Sequence, residues 1–79
     1  MIEKPRDVRL KECINIRRQL REHVKDEHEC QPLLDAMDHF VRDGISATGT
    51  CVVPSIGRKL EYMLSHRHDS YAVIKRRRY

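Results

Sequence analysis

Five histidines and three cysteines in 79 residues are the side chains most able to do chemistry here, and metal binding is the first chemistry to test. The densest group is His23, His28 and Cys30, with Glu27 and Glu29 beside them. A structural zinc site draws its four ligands from two close pairs, with spacings such as C-x2-C and H-x3-H. This sequence has no close Cys pair, and Cys13 and Cys51 would have to arrive from distant segments. The cluster therefore reads as a polar linker beside ordinary buried cysteines, and no metal or cofactor is expected. His66 and His68 are one residue apart, a spacing that does not converge on one centre. Placed after a helix, His66, Arg67 and His68 would set cations against the negative end of its dipole.

Nucleophilic catalysis needs a base beside the nucleophile and a third group to orient it. Ser46, Thr48, Thr50 and Ser55 fall where backbone turns and caps favour such residues. Combinations such as Cys51 with His66 or Cys30 with His28 carry no motif. The run Ser46-Ala-Thr-Gly-Thr50 has one glycine and no Lys-Ser/Thr ending, so it is not a phosphate-cradling loop. The expectation is a non-enzymatic protein.

Polyanion binding has more support. The formal charge is +4, unevenly spread. From Cys51 onward there are seven Lys/Arg against Glu61 and Asp69, whereas the segment from Gln31 to Thr50 is mildly acidic. Arg58, Lys59, Arg67, Lys75, Arg76, Arg77 and Arg78 are the candidate anion- or partner-binding residues, and they suit phosphate contacts or an acidic protein surface. Aromatic residues make up only 5% of the chain, too few for a single-strand stacking platform.

These side chains depend on the elements that carry them. Pro5 and Asp7 suit the first turn of a helix over residues 5–25, with Leu10, Cys13, Ile14, Leu20 and Val24 on one side. Arg17 projects into that stripe. Either its stem covers apolar surface while the guanidinium reaches water, or it meets an acidic group in the fold or across an interface. Pro32 opens a second helix over 32–43, with a stripe of Leu33, Leu34, Met37, Phe40 and Val41, an Asp38–Arg42 pair outside, and Gly44 as its C-cap.

A β-branched run between Gly49 and Pro54 predicts a strand over 50–53. Ser55 predicts the N-cap of a third helix over 55–66, with Ile56, Leu60, Met63 and Leu64 inward. A last strand is expected over 71–75, followed by a basic tail over 75–79. The fold class is then α+β and α-rich: one small domain of three helices and a two-stranded antiparallel ribbon in the order ααβαβ. That order resembles a minimal winged-helix arrangement, in architecture alone. The resemblance implies nucleic-acid binding through the third helix and the tail.

The odd, widely spaced cysteines point to a reducing compartment, cytoplasmic or nuclear. No apolar run is long enough to span a bilayer. The reading is a small interaction module or complex subunit, held by a larger protein or assembly, with nucleic acid as the alternative ligand and self-association compatible with both.

Overall fold

The computed structural model describes residues 5–67 and 69–75. Two helices lie on one face of a three-stranded antiparallel sheet. Helix α1 spans Pro5–His23, and a 3-10 turn over Glu27–Cys30 leads into α2 at Gln31–Asp43. The sheet is a meander of β1 (Ala47–Val53), β2 (Arg58–Leu64) and β3 (Tyr71–Lys75), in the order β1-β2-β3. The α+β class therefore holds, with two helices among the described residues where three were expected and three strands where two were.

The expected third helix is strand β2. Residues Pro54–Ile56 form a short 3-10 turn that ends on Gly57 in the left-handed region at φ 63°, its N–H reaching the Pro54 carbonyl at 3.2 Å. That geometry reverses the chain, and Val53 pairs with Arg58 across the loop. Leu60 and Leu64 are spaced four apart, which suits a helix face and a strand face equally. Here the period is two, with Leu60 and Leu64 buried and Tyr62 half-buried between them. Ser55 caps nothing; its hydroxyl donates to Glu29 Oε2 at 2.6 Å. Strand β1 begins at Ala47, three residues earlier than expected, because it has all of β2 to pair with. The winged-helix order is replaced by ααβββ.

Helix α2 follows its sequence closely. Gly44 takes φ 70° and donates its N–H to the Phe40 carbonyl at 2.9 Å, while Asp38 and Arg42 pair outside at 3.1 Å. Leu33, Met37 and Phe40 are buried against β1 and β2. Helix α1 keeps Cys13, Leu20 and Val24 of the expected stripe inward, but its buried side is turned toward Ile16. Cys13, Ile16 and Leu20 are buried, whereas Leu10 and Ile14 remain 46% and 49% exposed. The helix ends at His23, and Val24 still reaches the core.

The core lies between the helices and the inner sheet face. Phe40, Ile16, Leu20, Leu33, Leu60, Leu64, Val53 and Cys30 are all fully buried there. Arg9 ties the helices together by donating from Nη2 to the Val41 carbonyl at 3.2 Å. Arg17 meets an acidic group within the fold: Glu27 takes Arg17 at 3.5 Å on Oε1 and Arg21 at 3.6 Å on Oε2.

Candidate functional site

Side chains alternate across a strand, so the helix-covered face of the sheet fixes what the other face must present. Leu60 pairs with Cys51 on one side and Ile74 on the other, and all three point toward the helices. The intervening residues form three rows across the uncovered face. Thr48, Met63 and Tyr71 make the first, Thr50, Glu61 and Val73 the second, and Val52, Lys59 and Lys75 the third. Every row carries an apolar side chain. Val52, Tyr71 and Val73 are 41%, 45% and 43% exposed, and Met63 is half-buried among its neighbours. Thr48, Thr50, Glu61, Met63 and Tyr71 line a shallow concavity of about 310 Å³ on this face.

The third row is basic. Lys59 and Lys75 stand directly opposite one another on β2 and β3. Like charges so placed disfavour the pairing. Glu61, one row away, relieves part of that through a 3.0 Å ion pair with Lys75. Lys59 has no carboxylate partner among the described residues. This corner is where an anionic group would gain most from contact with the sheet.

The structure separates the other cations. Arg58 precedes Lys59 and so points to the opposite face, half-buried. It belongs to a strand, so the helix N-terminus expected to reinforce Arg58 and Lys59 does not exist. Arg67 lies in the turn after β2, at the far end of that strand, where its N–H bonds Ser65 Oγ at 3.2 Å. No helix dipole precedes it. Arg76, Arg77 and Arg78 follow Lys75 in sequence and lie outside the described residues. Arg17, the candidate interface residue on α1, is committed to Glu27 while keeping its side chain 46% exposed.

The residues considered for metal or nucleophilic chemistry are dispersed. His23 and His28 are exposed, and the His28 ring and backbone N–H both engage Asp26 Oδ1, at 3.0 and 2.9 Å. Those contacts, the backbone bond foremost, hold the Asp26 carboxyl below its ordinary value. Cys30 faces inward, beside Cys51. His66 instead packs its ring against Phe40, with centroids 6.1 Å apart. Among the described residues no three His, Cys, Asp or Glu side chains are grouped to hold a metal ion. The three thiols are free and buried. Desolvation pushes Cys13 up to about 11 and Cys30 up to about 12, and raises Cys51 as well.

A second apolar surface lies on the far side of the helices. Leu10, Cys13, Leu34, Met37 and Val41 line a groove of about 220 Å³ with Arg17 and Asp38 beside it. Sequence reasoning missed both surfaces for one reason each. The uncovered sheet face requires a third strand, and the groove requires Leu10 to stand outside the buried stripe. The alternation of β3 was the available signal for the first, since Tyr71 and Val73 share a face whenever Ala72 and Ile74 are covered.

No protein-family model, curated protein or solved structure matches this chain. Among the described residues no helix is long and apolar enough to cross a membrane.

Proposed function

We propose that this chain is a non-enzymatic interaction module, a subunit that docks a larger protein on the uncovered face of its sheet. The observation that carries this reading is the run of apolar side chains through every row of that face, with Val52, Tyr71 and Val73 exposed. The solvated face of an antiparallel sheet is ordinarily polar, and Met63, Tyr71 and Val73 gather on this one, so the exposed apolar side chains favour a contact surface. Lys59 and Lys75 at one end favour an acidic border on the partner, which would add orientation and encounter rate more than affinity. The hydroxyls support a structural use: Ser55 holds Glu29, and Ser70 Oγ accepts from the Ser65 N–H at 2.9 Å. The buried free thiols are in keeping with a cytoplasmic or nuclear setting.

The test is site-specific photocrosslinking in the native source, with the reactive side chain placed at Val73 or, as a control, at exposed Arg18 on α1. One protein captured from position 73 and not from position 18 is the expected result. Equal capture from both positions, or none from 73, removes the sheet face as the docking surface.

A second reading, nucleic-acid binding, is favoured by the Lys59–Lys75 pairing and by the Arg-Arg-Arg run that follows Lys75 in sequence. It no longer rests on a recognition helix. Binding to generic duplex DNA or RNA should fall steeply with salt and weaken in Lys59→Ala and Arg77→Ala. Absence of binding at low salt rejects it.

A further inference from the structure

Strand β1 is an edge of the sheet, and it carries none of the devices that usually protect one. Natural edges are blunted by charge, proline, bulges or short length, because a row of unpaired N–H and C=O groups is a template for another strand. Ala47–Val53 runs seven residues as Ala-Thr-Gly-Thr-Cys-Val-Val, with no charged residue and no proline before Pro54. Its ladder to β2 is continuous from Ala47–Leu64 to Val53–Arg58. The other side of the strand has no backbone partner among the described residues. The 3-10 turn before α2 meets β1 from the helix-covered side, through Cys30 and Cys51. Thr48, Thr50 and Val52 are exposed. The opposite edge, β3, differs in length and charge: it is five residues long, ends on Lys75 and leads in sequence into Arg76, Arg77 and Arg78.

We propose that β1 is the interface for a second copy of this chain, the two β1 strands pairing antiparallel about a two-fold axis at Thr50 into a six-stranded sheet. Full overlap of the seven residues sets Thr50 against Thr50, Thr48 against Val52 and Ala47 against Val53. On the exposed side these are hydroxyl and β-branched pairs, which stabilise cross-strand contacts and bring no charge against its like. An isologous interface needs this kind of self-complementarity.

The charge distribution is compatible with the same partner. Each chain is formally +4, and β1 carries no charged residue, so pairing there sets no charge against its like. Pairing through β1 puts both β3 strands at the outermost edges, five strand spacings apart. At about 4.8 Å per spacing that is roughly 24 Å, beyond the screening length of about 8 Å at physiological ionic strength. Antiparallel pairing through β3 would overlap only five residues and set each Lys75 opposite Tyr71 of the other copy. The β1 arrangement also joins two uncovered faces into one, with Val52 of each copy next to Thr48 of the other. The pairing depends on the edge alone, whatever docks on the face.

Sedimentation of the full chain, from micromolar to about 1 mM, reads the self-association directly. The expected result is a monomer–dimer equilibrium in the wild type. Thr50→Lys places like charges on the two-fold and should weaken it about tenfold or more, with unchanged circular dichroism because Thr50 is exposed. Mild oxidation of Thr50→Cys should give a dimer linked 50 to 50 by peptide mapping, which the same change at Val73 should not. A chain that stays monomeric throughout the range overturns the proposal. So does a dimer indifferent to Thr50→Lys but broken by Leu10→Lys, which would place the interface on the helix groove. If the chain is monomeric and Thr50→Lys abolishes capture of another protein from Val73, the edge belongs to a partner's strand and self-pairing is rejected.

Discussion

Gly49 and Tyr62 are cross-strand partners, and the tyrosine side chain occupies the space that a side chain at position 49 would need. A Cβ on Gly49 would stand 2.5 Å from the Tyr62 hydroxyl and 2.8 Å from the ring carbon that bears it. The ring thereby covers a stretch of β1 backbone. Gly49→Ala should destabilise the fold by about 1–3 kcal/mol, the usual cost of overpacking. In a Tyr62→Leu background the loss should shrink, since the obstructing atoms are gone. Urea denaturation of the four proteins in this cycle checks both statements. A neutral Gly49→Ala would mean that the ring moves aside freely.

Gly57 separates the hairpin from the helix that sequence pattern favours. Its φ is +63° and nothing lies within 4 Å of where a Cβ would sit, so space is not the constraint. Backbone conformation is. Gly57→Val should cost about 1–2 kcal/mol and Gly57→Asn less, because asparagine tolerates the left-handed region. A helix over these residues would instead gain from Gly57→Ala. Thermal melts of the three variants decide between the two conformations.

Helix α1 offers a paired test of its buried side. Ile16 is 1% exposed and Ile14 49%. Ile16→Ala should lose about 2–5 kcal/mol, while Ile14→Ala should fall within about 0.5 kcal/mol of wild type. Reversal of that order in denaturant melts would place the wrong side of the helix against the sheet.

The thiols predict a pH dependence with a definite sign. Burial favours the neutral form in the fold, with Cys30 raised to about 12 and Cys13 to about 11 from an ordinary 9.0. Below pH 9 both folded and unfolded states hold these protons, so the contribution is constant. Above pH 9 the unfolded chain releases them first, and stability falls as pH rises through that window. Denaturant midpoints at pH 8 and pH 10 should therefore drop in a way that alanine in place of the cysteines reduces. At pH 8 a maleimide should label the three thiols far more slowly in the native protein than in denaturant. Rapid native labelling of Cys30 would contradict its burial.

Much of this fold is legible in the residues. Pro32 and Gly44 bracket α2, and the alternation of Tyr71 to Ile74 marks β3. The segment from Ser55 to His66 was not legible by periodicity, because Leu60 and Leu64 lie on one side of a helix and of a strand alike. Met63 completed a helical stripe that does not exist. The informative pattern is Pro54-Ser-Ile-Gly57, a turn sequence whose glycine suits a helix poorly and is the reversal itself. Of the proposed anion-binding residues, only the Lys59–Lys75 pairing emerges as a cluster among the described residues. Linear proximity had also joined Arg58 and Arg67, which strand alternation and strand length send elsewhere. Arg17 shows something of both its readings, lying along the apolar groove with its side chain partly in water and also meeting a carboxylate, though nothing in the sequence singled out Glu27.

The meander has a consequence for how the chain assembles. Each strand pairs with its neighbour in sequence, so both hairpins form from short-range encounters that favour rapid folding. The contact between α1 and β3 is of the opposite kind, joining the two ends of the described chain. Its closure carries the largest loop entropy of any contact here. A chain cut before Tyr71 would keep its hairpin and helices yet leave Leu20 and Leu60 without the flank that Ala72 and Ile74 provide. Cooperativity in this small protein is therefore set by its last strand, and amide exchange in α1 should report whether that strand is docked.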